Sequence, residues 1–473
     1  MPRPIETAPL PSPFGRGPTG MSGAVTLGLG LLFLVLLFAV SFGLPLMGRS
    51  VAFERGPEAV ARVYERRLEL TAALIELPAW EHSVLAPFVP AGPQTTDEAL
   101  QAFLTVIENG RAGFDAEDTV AIEQRDRELD GLRARRAVLL AGLGRLGEAQ
   151  GDLDQLDRNG HGAFVTAAKA LVNGRAAVLD LGLAGEGWIG RTARARAEGN
   201  PLPAPGPTAL KTLKWARGLA AGVGLGALIL VAWLARNRPD LDVGVIAIPS
   251  PWSPQTAFGV LVRAAFLGFL ILAVFAVLRE TTSAPVPLFF EALAASAPLY
   301  YLVRRHLARP NRLELIDIVG FPATRSVVIL TTAGLFALDQ LGGRALANAA
   351  IAMGATEPWT FQVDAQSLWS GDFAFAVSAV DAIVFGVLAR EIVFRGVLFP
   401  SLRHIHGPVH AAVLSGLLFS AVHMATFPMM LSLAWTGFVC ALAVERTRSL
   451  LPAILAAMAS AVFELGMFSA LYR

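Results

Sequence analysis

The chain has 473 residues, of which 54% are hydrophobic and only 16% are charged. Soluble domains carry about 25% charged residues, so this composition indicates a protein that crosses the lipid bilayer several times and carries a soluble part. The net charge of +1 gives no basis for binding nucleic acid. The lone cysteine, Cys440, excludes an intramolecular disulfide and a cysteine-based metal site.

The N-terminal part predicts a tail, an anchor and a soluble domain. Residues 1–20 are rich in Pro and Gly, which predicts a disordered tail. Residues 21–47 hold an apolar run longer than the ~7–15 residues of a signal-peptide core, and no convincing cleavage site follows. This run is therefore expected to be a retained transmembrane anchor. Charged residues become frequent across 50–210, where apolar residues recur at helical spacing, which predicts an inserted soluble α-helical domain.

Residues 131–158 within this domain resemble one helical hairpin of the tetratricopeptide type. Small residues around Gly147 are expected to let its two helices approach closely. Repeat arrays need about three units to bury a core, so an ordinary helical hairpin is the alternative. A protein or peptide partner is expected to bind this domain.

The remainder predicts a series of membrane-spanning helices, in 215–365 and 370–473. About 20 apolar residues cross a bilayer as a helix. Eight apolar segments meet this requirement, at 217–235, 256–278, 285–303, 326–350, 372–394, 408–424, 427–444 and 449–471. With the anchor they predict an all-α, polytopic transmembrane bundle of about nine spans. Asp339 and Arg344 are expected to break or tilt one span, and Arg263 is expected to reach the headgroups from near the end of another.

The arginines predict the orientation of the spans. They follow the second, fourth, sixth and eighth spans, at Arg236, Arg238, Arg304, Arg305, Arg309, Arg312, Arg325, Arg403, Arg446 and Arg448. Because positive charge collects in cytoplasmic loops, the N-terminus is expected in the cytoplasm. The 50–210 domain is then extracytoplasmic, which in a bacterial inner membrane with an outer membrane beyond it means periplasmic.

Ionisable residues at membrane depth mark candidate sites. Glu391 and Arg395 are four residues apart on one predicted helix, so their side chains can form an internal ion pair. His423 lies at the C-terminal end of the next predicted span. A pair that stabilises a helix and a histidine that packs by hydrogen bonding are the simpler interpretations of these residues.

The arrangement Glu391…Arg395-Gly396, Phe419…His423 and Gly437…Thr447-Arg448-Ser449-Leu450 resembles the CPBP family. That family comprises type II CAAX prenyl endopeptidases and bacteriocin-processing or self-immunity proteins. The resemblance implies a polytopic helical membrane protein with an intramembrane metallopeptidase site. In the family's motifs a first Glu and a second-motif His activate water, while a third-motif His and Asn stabilise the oxyanion.

Three of these four family positions are replaced in this chain. Arg390 stands at the first Glu, and Ala457 and Ala461 stand at the third-motif His and Asn. A guanidinium stays protonated, so it cannot act as a base, and it repels a metal cation. The sequence therefore predicts a catalytically degenerate protein that acts by binding, scaffolding or immunity-like protection. The alternative is an active peptidase that uses Glu391 as base and His423 as its partner.

Several further expectations follow. Arg390 needs an acidic partner inside a bundle, with Glu464 the first candidate and Glu391 the second. No metal or other cofactor is expected, except a metal ion if the site is active. The histidines His404, His406 and His410 can bind zinc in principle, but the Gly-Pro step among them favours an ordinary surface loop. A transporter or channel is disfavoured because the two halves of the chain show no paired broken-helix repeat.

Overall fold

The structure is a computed structural model of the full chain. It describes residues 23–38, 57–75, 77–78, 95–110, 119–156, 163–173, 187–197, 207–237, 240–281, 288–321, 325–353, 355, 372–423 and 426–472. Every regular element in these ranges is helical, which confirms the predicted all-α class for them. The predicted tail at 1–20 lies outside the described residues.

The helices follow in chain order. They are α1 (Gly23–Phe38), α2 (Pro57–Ile75), α3 (Thr95–Gly110), α4 (Thr119–Gly142), α5 (Leu146–Asp154), α6 (Ala163–Val172), α7 (Gly187–Ala197), α8 (Pro207–Asn237), α9 (Pro254–Thr281), α10 (Leu288–Val303), α11 (Leu315–Val319), α12 (Arg325–Leu338), α13 (Arg344–Ala352), α14 (Asp372–Val380), α15 (Gly386–Glu391), α16 (Phe399–Leu402), α17 (Pro408–Val422), α18 (Phe427–Thr447) and α19 (Leu451–Tyr472).

Within the described ranges, four π-helical segments interrupt this pattern. Asp339–Gly343 joins α12 to α13, Asp381–Phe385 joins α14 to α15, and Ile392–Leu398 joins α15 to α16. The fourth, Arg304–Ala308, follows α10 directly. A π turn closes its hydrogen bonds over five residues, so it changes which side chains share a face of the helix. Such turns are frequent at functional sites.

The chain divides into two compact units, and α2 to α7 belong to the first. Within it α4 is central and contacts α2, α3, α5, α6 and α7. The fully buried side chains that form its interior include Leu70, Leu74, Phe103, Leu132, Leu140 and Ile189. This burial explains why the amphipathic spacing in 50–210 gives a folded helical unit, because helices gain most of their stability from packing an apolar face.

The predicted hairpin at 131–158 contains two packed helices, α4 and α5. They are joined by a turn at Gly144, whose φ of +78° is a conformation that glycine adopts without strain. Arg136 on α4 pairs with Asp152 on α5 at 2.6 Å. The expected close approach at Gly147 is wrong, because a Cβ added there would meet no atom within 4 Å. The ion pair and apolar contacts hold the two helices together instead.

The second unit contains the apolar helices. Among the described residues, three helices are long and apolar enough to cross a membrane, at Pro254–Phe275, Arg325–Ala350 and Phe427–Thr447. Shorter apolar helices lie at Ala221–Leu230, Pro408–Val422 and Leu451–Met467. The number of helices that cross the membrane stays a prediction.

Arg263 corrects one expectation about these spans. It is the tenth residue of the span Pro254–Phe275, so it lies near the middle of that span and not near its end. Its Nη1 donates hydrogen bonds to Thr26 Oγ1 at 2.7 Å and to the Gly259 carbonyl at 2.9 Å. These internal acceptors replace the headgroups, and the bond to Thr26 fastens α1 against α9.

Two glycines allow helices α17 and α18 of this unit to approach each other closely. A Cβ added to Gly437 of α18 would lie 2.5 Å from the Gly416 Cα of α17. A Cβ on Gly416 would lie 2.6 Å from the Ala434 carbonyl oxygen. The two backbones therefore touch, as small residues allow in helix pairs within membranes.

Four connecting segments meet through hydrogen bonds at one end of this unit. They are the segment before α9, the segment after α11, the loop between α16 and α17, and the loop between α18 and α19. Their bonds run from Ile246 N to the Arg448 carbonyl (2.8 Å), from Ser449 Oγ to the Gly320 carbonyl (2.6 Å), from Leu450 N to the Val319 carbonyl (2.9 Å) and between His404 Nε2 and the Ser250 carbonyl (2.7 Å). Arg403 adds a bidentate pair to Glu445, with both distances 2.9 Å.

Candidate functional site

The motif residues lie on two packed helical segments. The first is α15 with its π continuation Ile392–Leu398, and the second is α17, which follows after a short loop. Ser415 Oγ donates a hydrogen bond to the Phe394 carbonyl at 3.1 Å. The Phe394 and Phe419 rings meet edge to face with centroids 5.1 Å apart. The two segments thus run antiparallel, with Phe394 beside Ser415 and Phe419.

Glu391 and Arg395 form an ion pair in the interior. Arg395 Nη1 lies 3.1 Å from Glu391 Oε1, and the side chains are 0% and 3% exposed respectively. The orientation is not that of a hydrogen bond, and Glu391 Oε2 and all three Arg395 nitrogens find no hydrogen-bond partner among the described residues. The attraction between them is therefore Coulombic. Both groups are strongly desolvated, so either one alone would be costly to bury.

Phe419 links this ion pair to His423. The Arg395 guanidinium carbon lies 4.2 Å from the centroid of the Phe419 ring, which is cation–π distance. The His423 ring also contacts the Phe419 ring, with the two centroids 4.6 Å apart. His423 Nδ1 donates to the Phe419 carbonyl at 2.7 Å, because a carbonyl can only accept. In the neutral ring this bond leaves Nε2 as the free acceptor.

The helical segment that carries Glu391 extends beyond the predicted span end at 394. Spans ending at 394 and 424 would put Glu391 and His423 near opposite faces of the bilayer. The helical segment instead continues to Leu402, eleven residues beyond Glu391 (402 minus 391), or about 16 Å at 1.5 Å per residue. Glu391 therefore lies well inside the bundle, near the level of Phe419. Arg395, one residue beyond the predicted span end at 394, is fully buried.

The replaced family positions lie in less polar surroundings. Ala457 and Ala461 are half-buried and pack against the apolar core of the unit. Arg390 is half-buried, and its Nε donates to the Gly386 carbonyl at 3.2 Å. Glu464, the first predicted acidic partner of Arg390, is exposed. The pairing of Arg390 with Glu464 or Glu391 stays a prediction.

Asp339, which the sequence predicts only to break or tilt a span, lies where three helical segments meet. Asp339, in the π segment after α12, accepts hydrogen bonds from Thr436 of α18 and from Ser460 of α19, the latter at 2.5 Å. The buried Gln340 lies beside it and accepts a bond from Arg344 Nε at 3.1 Å. The signal in the sequence was the acid itself at membrane depth.

The residues present do not fit a metal ion. Of the four positions that the motif resemblance assigns to catalysis, only His423 is retained, and Glu391 beside it is paired with a guanidinium. In the described part of the chain no three His, Cys, Asp or Glu side chains are close enough to hold an ion. His404, His406 and His410 are exposed, and His404 contacts the Ser250 carbonyl.

Comparison with protein families agrees with the motifs. Residues 372–463 match the family model described as type II CAAX prenyl endopeptidase Rce1-like. This part of the chain, called the Rce1-like region below, is similar to that family. The resemblance to the CPBP family is thereby confirmed for the C-terminal part of the chain. No match was found among curated proteins or solved structures.

The Rce1-like region contains most of the candidate site. Arg390, Glu391, Arg395 and His423 lie within it, as do the alanines at the third motif. Asp339 precedes it and Glu464 follows it directly. Together with the long apolar helices, the Rce1-like region identifies a membrane protein.

Proposed function

We propose that the chain is a CAAX-protease-like membrane protein whose peptidase site is degenerate, and that it acts by binding, scaffolding or immunity-like protection. The observation that carries this proposal is the replacement of three family positions by Arg390, Ala457 and Ala461. The two alanines pack against apolar core, so no polar side chain stands at the place of the oxyanion donors.

The remaining acid supports the same conclusion. A general base must be free to take a proton from water. Glu391 is instead held within 3.1 Å of Arg395, so its carboxylate is engaged in a buried ion pair. Arg390, one residue earlier, cannot act as a base at all. The motif acid thus serves to keep a buried arginine in place.

A second candidate function, an active peptidase, is favoured by one observation. Antiparallel packing brings the Glu391 turn of the first segment near the Phe419–His423 turn of α17, with His423 Nε2 free to accept a proton. In that case Glu391 is the base and His423 its partner. The ion pair to Arg395 would then have to open during turnover.

A peptidase assay on the purified full chain in liposomes separates the two. The substrate is a fluorescence-quenched peptide with a prenylated cysteine four residues from its C-terminus. We expect no cleavage above the background of empty liposomes, and no change on His423→Ala. Cleavage that is lost in His423→Ala, but kept in the matched variant His410→Ala in the exposed first turn of α17, would overturn the proposal of a degenerate site.

Restoring the motif gives the converse test. The triple variant Arg390→Glu, Ala457→His, Ala461→Asn returns the family residues to all three positions. Peptidase activity in this variant alone would show that the helical shell still supports catalysis and that the replacements removed it. Because both alanines contact core, elution as a single species by size exclusion must be confirmed first.

The topology is proposed on the same basis. We infer about nine spans, a cytoplasmic N-terminus and an extracytoplasmic 50–210 domain that binds a protein or peptide partner, in a bacterial inner membrane. The support is the meeting of four connecting segments at one end of the membrane unit. These are the segments that the arginine pattern assigns to one side, and they include Arg403 and Arg448. Positive charge at that end favours the cytoplasmic face.

A further inference from the structure

Helix α10 presents one face to the core of the membrane unit and the opposite face outward. The inward face carries Leu299, Val303 and Leu307, each 6% exposed or less, which pack in the apolar core. Tyr301, two residues before Val303, lies about 200° round the helix from it and is 60% exposed. Arg305, one turn after Tyr301, is exposed as well. Tyrosine rings collect at the level of the lipid headgroups, and long basic side chains extend beyond them, so this order indicates a membrane interface.

A π turn and a 3₁₀ turn bring further arginines to the same end of α10. The Arg309 N–H donates to the Arg304 carbonyl across the π segment, and the Arg312 N–H donates to the Arg309 carbonyl at 3.0 Å. Arg304, Arg309 and Arg312 therefore lie on successive turns of one short segment. All three are exposed, as is Arg305, so four exposed cations lie within residues 304–312.

Three of these four cations are available to an external anion. Arg304 Nη2 lies 3.8 Å from Glu314 Oε2, which is a loose ion pair between two exposed side chains. The side chains of the other three, Arg305, Arg309 and Arg312, form no hydrogen bond or ion pair with any residue that the structure describes.

The short helix α11 adds exposed apolar side chains beside these arginines. α11 contacts the π segment Arg304–Ala308, and it leaves Ile316 60% exposed while Ile318 is buried. Phe321, two residues after α11, is 58% exposed. The bond from Leu450 N to the Val319 carbonyl at 2.9 Å holds this loop in place. A small soluble anion would gain nothing from these apolar groups, whereas a phospholipid offers both a phosphate and acyl chains.

We propose that Arg305, Arg309 and Arg312 bind the phosphate of an anionic phospholipid, whose acyl chains lie along Tyr301 and Ile316. Guanidinium groups suit this ligand because they donate paired hydrogen bonds to phosphate oxygens. Clusters of basic residues next to a membrane-spanning helix attract anionic lipids, which are enriched in the cytoplasmic leaflet. The inference goes beyond the proposed function, and it holds whether or not the chain cleaves peptides.

Native mass spectrometry of the full chain in detergent micelles tests the proposal by counting bound lipids. The protein is titrated with phosphatidylglycerol, with phosphatidylcholine of the same acyl chains, and with glycerol phosphate, which has the phosphate but no acyl chain. The test variant combines Arg305→Gln, Arg309→Gln and Arg312→Gln. The matched control removes the same charge from three exposed arginines on α8, α12 and α18, by combining Arg236→Gln, Arg325→Gln and Arg446→Gln.

We expect the parent to bind its first phosphatidylglycerol at least about tenfold more tightly than phosphatidylcholine. Each arginine should contribute about fivefold, which corresponds to ~1 kcal/mol, so the test variant should lose about 100-fold in affinity for phosphatidylglycerol. Its affinity for phosphatidylcholine should stay within about threefold of the parent. The control variant should keep phosphatidylglycerol affinity within about threefold of the parent, because its arginines lie on other segments.

Three results would overturn the proposal. One is equal affinity of the parent for the two lipids, and another is equal loss in the test and control variants, which would assign the effect to total charge. The third is glycerol phosphate binding as tightly as phosphatidylglycerol, which would make the surface a site for soluble anions. If the test variant does not fold, the single variants Arg305→Gln and Arg309→Gln carry the same test, with about a fivefold loss expected in each.

Discussion

Replacing Arg395 with Met is the sharpest perturbation of the site. It keeps much of the side-chain volume but leaves Glu391, which is 2% exposed, without its cation. At 3.1 Å and an effective dielectric constant of 20, the lost attraction is about 5 kcal/mol. Mutations that break buried pairs cost about 3–5 kcal/mol, because the remaining charge stays desolvated. We therefore expect Arg395→Met to destabilise the membrane unit by several kcal/mol, on the order of 4.

The double variant Glu391→Leu, Arg395→Met should recover most of that loss. Replacing a buried pair by apolar side chains is often neutral or stabilising. What stays lost is the cation–π contact of Arg395 with Phe419, about 1–2 kcal/mol. The measurement is reversible unfolding by SDS in mixed micelles, fitted as a double-mutant cycle. Arg145→Met is the control, because its pair with Glu148 is solvent-exposed and lies in the first unit.

The reasoning fails under either of two results. One is that Arg395→Met unfolds at the same SDS fraction as Arg145→Met, which would mean that the buried pair contributes no more to stability than a surface pair. The other is that the double variant loses as much unfolding free energy as the two single variants together, which would show that the two side chains act independently.

Two further predictions concern the shell and its orientation. Gly437→Ala should lower the free energy of unfolding by about 1–3 kcal/mol, because its Cβ would strike the Gly416 backbone, whereas Gly226→Ala, with no atom within 4 Å, should be neutral or slightly stabilising. Equal midpoints for both would contradict the glycine contact. Reporter fusions, and thiol labelling of introduced cysteines in a Cys440→Ala background, should place residue 200 outside the cytoplasm and residue 405 inside it. Finding residue 405 outside would reverse the proposed orientation.

The regular parts of the fold could be predicted because apolar runs and helical periodicity depend on local sequence. Helices occur within each described apolar run, for example at α9 and α18. Local rules fail where the helix geometry changes. Counting 3.6 residues per turn would put Asp381 on the helix face opposite Arg390, but the π segment Asp381–Phe385 alters that count. Nothing in the local sequence marks such a turn.

The site was predictable as far as its motifs reach. Glu391 and Arg395 are one turn apart, so their pairing follows from sequence spacing. The partners of Asp339 could not be predicted, because its two hydroxyl donors, Thr436 and Ser460, lie 97 and 121 residues away. Contacts over such separations depend on how the helices pack, which one sequence does not specify. The same is true of Arg263, whose acceptor Thr26 is 237 residues away.

The motif residues that this chain retains each have a packing role. Arg395 pairs with Glu391 and stacks on Phe419, while Gly437 lets α17 and α18 touch. A Cβ on Gly396 would press against Ile318 and Leu450 at 3.1 Å, and Ser449 ties the last loop to Gly320. The positions that differ, 390, 457 and 461, are those to which the motif resemblance assigns chemistry. Likeness to the family can therefore persist through the demands of helix packing alone, since every retained contact stabilises the shell whether or not a peptide is cleaved within it.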